Sequence, residues 1–247
     1  MFGFRLKSDR IAWFLLALSL ILYGLDYWLY GRAGEIGFGF LGNLAFLPIY
    51  VLLVTLMIER VLKEREKEAL RQKLNMVIGL FFSEVGKALL KNGHGFVTDG
   101  RELAERVKIS TLWNGDDFRS LAAWLKRMDV KMDSRLGDLP ALKEFLRGKR
   151  TFLLSLMENP NLLEHDDFTD LLWAVFHLLE ELESRTELAG LPGSDLDHLT
   201  GDIKRAHIHL LRQWVAYLEH LKEDYPYLFS LAVRTNPLNP GAQIEVD

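Results

Sequence analysis

Three histidine–carboxylate pairs share one spacing: His177 with Glu181, His198 with Asp202, and His220 with Asp224, each four residues apart. On an α-helix that spacing stacks the two side chains on one face, a turn apart. An imidazole nitrogen beside a carboxylate oxygen is the donor set that holds divalent ions inside helix bundles. Such a site must project inward. His177 falls opposite the apolar face made by Leu171, Leu172, Val175, Leu179 and Leu182. Likewise His198, Asp202, His209 and His220 form a stripe beside the apolar face of Leu199, Ile203, Leu210, Trp214, Leu218 and Leu221. The stripe therefore reads as solvated or turned toward a partner, and no metal is assigned. The metal alternative left standing is His198, Asp202 and His220.

His207 lies on the apolar face of the same segment. It reads as a core histidine whose ring nitrogens are satisfied by hydrogen bonds, with a pH-sensitive switch as the sharper alternative. No nucleophile–base pair, phosphate loop or calcium loop is recognisable, and cysteine is absent. The sequence thus assigns no catalytic residue and no cofactor. Gly37, Gly39 and Gly42 spell G-x-G-x-x-G. That fingerprint binds dinucleotides only after a strand; here it opens an apolar run, so the glycines read as small residues for close helix packing.

The elements that position these residues begin with two apolar runs, 11–30 and 36–58, joined by a short link. About 20 apolar residues cross a bilayer as a helix. The expected fold is all-α: residues 1–10 as a stub, a transmembrane hairpin over 11–58, a juxtamembrane amphipathic helix over 59–91, a cytoplasmic helical domain over 99–234, and a flexible tail over 235–247. Arg5, Lys7 and Arg10 precede the first run and a basic series from Arg60 follows the second, with only Arg32 between them. Lysine and arginine concentrate on the cytoplasmic side, so both termini are expected there. Asp26 and Asn43 are the polar candidates within the runs. Arg60, Lys63, Arg65 and Lys67 are candidates for lipid-headgroup contact, and so is the cluster Lys143, Arg147, Lys149 and Arg150.

Within the later segment the apolar spacing is helical throughout. Asp99, Asp116 or Asp117, Asp138, Asp166 or Asp167, and Asp195 are the expected helix starts, and Lys91-Asn92-Gly93 is an expected left-handed stop. Residues 1–75 carry ten Lys/Arg against seven Asp/Glu, a net +3; the whole chain is −4, leaving −7 for the remainder. That mildly acidic part excludes a basic nucleic-acid footprint. The expected function is a two-pass, non-enzymatic, membrane-anchored interaction or regulatory module. Its expected partners are membrane lipid, a further copy of the chain, and a protein bound at the cytoplasmic domain. The alternative is a subunit of a small homo-oligomeric channel or transporter.

Overall fold

A computed structural model describes residues 17, 19–25, 27–29, 31, 33–160, 162 and 165–239. Among them the regular structure is helical, as the sequence predicts, and the one β-type pairing is an isolated bridge between Val97 and Met132. The chain divides into two compact units, Met1–Lys67 and Glu68–Asp247.

In the first unit, residues 19–25 and 27–29 are helical. Gly31 turns the chain with φ of 60°, its N–H donating to the Tyr27 carbonyl at 2.8 Å. Only glycine adopts that φ readily. Helix α1 (Ala33–Phe81) begins two residues later. The Tyr23 ring meets Phe40 edge-on, 5.9 Å between centroids. Pro48 lies inside α1 without ending it. From Glu59 onward strong helix formers sustain the helix, with i,i+4 ion pairs Glu59–Lys63 and Arg60–Glu64 at 3.2 Å each. Among the described residues one helical run, Gly34–His94, is long and apolar enough to cross a membrane.

The second unit starts with the last turns of α1, which pass through a π-helical turn (Phe82–Gly86) into α2 (Lys87–His94). There follow α3 (Arg101–Arg106), α4 (Gly115–Arg127), α5 (Leu139–Gly148), α6 (Arg150–Met157), α7 (Asp166–Ser184), α8 (Gly193–Asp224) and α9 (Pro226–Arg234). Helices α7 and α8 form the central pair. Helices α2, α4 and α9 pack on α8, while α5 and α6 pack on α7. The core is aromatic where the chain enters it: Phe81 meets Phe82 and Phe168 at 5.4 Å, and Phe82 stacks on Tyr217 at 5.2 Å and lies 5.0 Å from Trp214.

Several boundaries differ from the sequence reading. The segment 59–91 does not stand apart from the helical domain: Leu74, Ile78, Phe81, Phe82, Val85 and Leu89 are core residues of the second unit. Nor does α2 stop on a left-handed residue; its cap, Gly95, is right-handed at φ −63°. Asn114, rather than Asp116 or Asp117, caps α4, exchanging bonds with Asp117 in a capping box. His165 Nδ1 takes the capping role before α7 by accepting from the Phe168 N–H. Asp138 caps α5 as expected. The start of the tail is packed. Asn236 and Leu238 are 2% exposed, and Asn236 Nδ2 donates to the Val107 carbonyl at 3.1 Å. Residues 240–247 lie outside the described residues.

Candidate functional site

Helices α7 and α8 run antiparallel, so the His-x3-Glu pair of one faces the His-x3-Asp pair of the other head to tail. His177 Nε2 lies 3.8 Å from Glu181 Oε1 on its own helix and 3.6 Å from Asp202 Oδ1 across the pair. His198 Nε2 lies 3.3 Å from Asp202 Oδ2 on its own helix and 3.5 Å from Glu181 Oε2 across. Each imidazole thus addresses both carboxylates. Three donor atoms, one each from His177, Glu181 and Asp202, lie within 4.8 Å of one another.

The burial of this cluster corrects the sequence reading. Asp202 is not on a solvated stripe; it is 3% exposed, and its Oδ2 is buried without a hydrogen bond. The reason is packing. Helix α7 is covered on more than one side, so the helix face opposite Leu171 and Leu179 is not uniformly solvent and His177 reaches the α8 seam. His220 does not join the group. It sits eighteen residues beyond Asp202, roughly 27 Å along a helix. There it pairs with Asp224 at 2.8 Å and meets Asn75 at 3.1 Å.

Arginines surround the cluster. Arg185 grips Asp195 through Nε and Nη2 at 2.8 and 2.6 Å, and reaches Glu181 Oε2 at 2.8 Å. Its guanidinium holds both carboxyls below the ordinary range. Arg205 donates to Asp202 Oδ1 at 2.9 Å. Beside the cluster, His177, Glu180, Glu181, Glu183, Ser184 and Arg150 line an open depression of about 640 Å³. Two of these pairings follow helical spacing, Arg185 four residues after Glu181 and Arg205 three after Asp202; only the reach of Arg185 to Asp195 on α8 had no signal in the sequence.

A second histidine feature lies deeper. His207 is 3% exposed, and among the described residues neither of its ring nitrogens has a hydrogen bond; nor does Nδ1 of its neighbour His94. Burial, with a smaller contribution from His94, pushes the His207 pKa down to about 3, keeping the ring neutral. Two glycines make room: a Cβ on Gly93 would stand 2.4 Å from His207 Nδ1, and one on Gly100 would stand 2.7 Å from His94 Cε1.

Of the remaining candidates, Asn43 is exposed on α1. A Cβ on Gly37, Gly39 or Gly42 would meet nothing within 4 Å, so no described helix of the chain packs on them. Asp26 lies outside the described residues. Arg60, Lys63, Arg65 and Lys67 are exposed. The cluster along and just after α5 is engaged instead of free: Lys143 donates to the Arg185 carbonyl, Lys149 pairs with Glu84 at 3.1 Å, Arg150 pairs with Glu183, and Arg147 lies 3.9 Å from Glu144.

Comparison with known proteins follows the same division. A family model described as MJ1433, N-terminal helical domain, matches residues 5–62. Another, described as Uncharacterized protein MJ1433, C-terminal helical domain, matches residues 70–234. The chain belongs to the MJ1433 family. It is 46% identical over 240 residues to Uncharacterized protein MJ1433 of Methanocaldococcus jannaschii, covering 96% of each chain. No solved structure matches. The boundary between the two MJ1433 domains, between residues 62 and 70, brackets the division at Lys67–Glu68.

Proposed function

We propose that this member of the MJ1433 family is a two-pass integral membrane protein with both termini in the cytoplasm. Its apolar N-terminal hairpin anchors a helical domain that acts as a non-enzymatic interaction or regulatory module. One observation carries the reading: from Phe38 to Leu62, α1 bears large apolar side chains all round. Leu41, Leu44, Leu47, Leu53, Leu56 and Met57 are each more than half exposed. A helix apolar on every side is stable where its surroundings are apolar too, as in a bilayer. The stretch from Ile36 to Ile58 is roughly 33 Å at 1.5 Å per residue, enough for a hydrocarbon core of about 30 Å. The basic residues from Arg60 to Lys67 would then meet anionic headgroups. The unpacked surface at Gly37, Gly39 and Gly42 suits close approach by a second copy.

The test is fractionation of cells expressing the full chain, with a reporter that is active only outside the cytoplasm fused after Asp247. The chain is expected to stay with membranes washed in alkaline carbonate, and the reporter to be silent. Release into the supernatant would refute anchorage. An active reporter would refute the orientation.

A further inference from the structure

The four side chains where α7 meets α8 lie close together, with no hydrogen bond between their imidazoles and carboxylates. N–H···O bonds run about 2.7–3.2 Å between heavy atoms. The four imidazole–carboxylate separations are 3.3, 3.5, 3.6 and 3.8 Å. Donors placed about 2.0–2.2 Å from a shared tetrahedral ion stand roughly 3.3–3.5 Å apart. The observed spacings therefore suit one small cation between the groups better than they suit direct bonds.

We infer that His177, Glu181 and Asp202 form a divalent-metal site that cross-links α7 and α8, with His198 as a further nitrogen donor on the same carboxylates. The assignment rests on more than proximity. Asp202 is almost wholly buried, its Oδ2 has no hydrogen bond, and it is aimed at the histidine side of the cluster. An orphaned carboxylate oxygen at that depth is costly unless paired or metal-bound. Arg205 meets the other oxygen, and Arg185 meets Glu181, which holds each carboxylate in one orientation. Oriented carboxylates are what partner groups around a metal centre provide.

The donor set is nitrogen and oxygen without sulfur, in a chain that lacks cysteine. It suits zinc and neighbouring first-row divalent ions rather than thiolate-seeking ones. One side is open: His177 and His198 are 44% and 54% exposed, and the depression lined by His177 and Glu181 gives an ion a path in. The inference stands apart from the membrane reading, since every donor belongs to the second unit.

The test is titration of metal-stripped, detergent-solubilised full chain with zinc chloride by calorimetry, alongside thermal unfolding. One zinc per chain is expected, with a rise in Tm. His177→Gln and Asp202→Asn are each expected to weaken binding at least tenfold, and His198→Gln to weaken it less. His209→Gln and His220→Gln are expected to leave it unchanged. His177 is partly exposed, so His177→Gln remains informative even where Asp202→Asn fails to fold. Absence of saturable binding, binding unaffected by His177→Gln, or loss of the site in His220→Gln would each overturn the inference.

Discussion

Leu47 and Leu74 lie on one continuous helix and meet opposite surroundings. Leu47 is 53% exposed, while Leu74 is 7% exposed. The contrast holds for their neighbours: Leu41, Leu53 and Met57 stand bare, whereas Ile78 and Phe81 are enclosed by the helices of the second unit. The first stretch is apolar all round, whereas the second carries Arg71, Lys73, Glu84 and Lys87 between its apolar residues. What also differs is whether other elements of the chain arrive to cover them. Ordering the backbone costs about 1–2 kcal/mol per residue. Burying a leucine or phenylalanine returns about 1.5–3 kcal/mol. The second stretch recovers that cost within the protein; under the proposed anchorage the first recovers it from lipid.

The largest expected break in this comparison is Phe81→Ala against Leu47→Ala. Phe81 is wholly buried against Phe82 and Phe168. Its truncation should destabilise the second unit by about 3–5 kcal/mol. The Leu47 truncation should change that unit's unfolding by less than about 0.5 kcal/mol. Denaturant unfolding followed by tryptophan fluorescence in detergent measures both. Equal effects would show that the stretches are not different.

Next in size is Gly93→Ala. The added methyl would collide with the His207 ring, which the packing holds in place. A destabilisation of about 1–3 kcal/mol is expected from overpacking. Gly37→Ala, where nothing lies within 4 Å, should leave unfolding of the second unit unchanged.

The remaining effect is graded with pH. His207 is buried with its folded pKa depressed to about 3 from an ordinary 6.5. The unfolded chain therefore binds the proton first. His207's contribution is fully present above pH 6.5 and is lost as pH falls from there toward 3, at no more than about 1.4 kcal/mol per unit. Glu181 and Asp195, whose pKa values are lowered, also lose stability on acidification. The informative quantity is thus the difference between the parent and His207→Leu. Thermal unfolding between pH 7 and pH 4 should show the parent losing stability relative to His207→Leu as pH falls. A constant difference would contradict the neutral buried ring.

Most of the helical order was legible from apolar spacing, and Asp138 with Pro140 announced α5 directly. Helix starts were less so. Asp116 and Asp117 look like caps, but Asn114 takes the role because its carbonyl oxygen accepts from both of their N–H groups. The His-x3-acid spacing marked the cluster. Its burial was hidden because a helical wheel describes one helix, whereas the exposure of Asp202 depends on how α7 covers α8. Within the segment 59–91 the amphipathic spacing was legible, but not what covers its apolar face; the burial of Leu74, Ile78 and Phe81 assigns those residues to the second unit.

The most direct test of the central contrast is solvent accessibility at two leucines with similar sequence character. The chain has no cysteine, so Leu47→Cys and Leu112→Cys each carry a single spin label without background. Leu112 is 89% exposed in the second unit. Both variants would be reconstituted in lipid bilayers, and relaxation by dissolved oxygen compared with relaxation by a water-soluble nickel chelate. The account predicts that the label at 47 is relaxed by oxygen and shielded from the chelate, while the label at 112 shows the reverse. A label at 47 as open to the chelate as the label at 112 would contradict it.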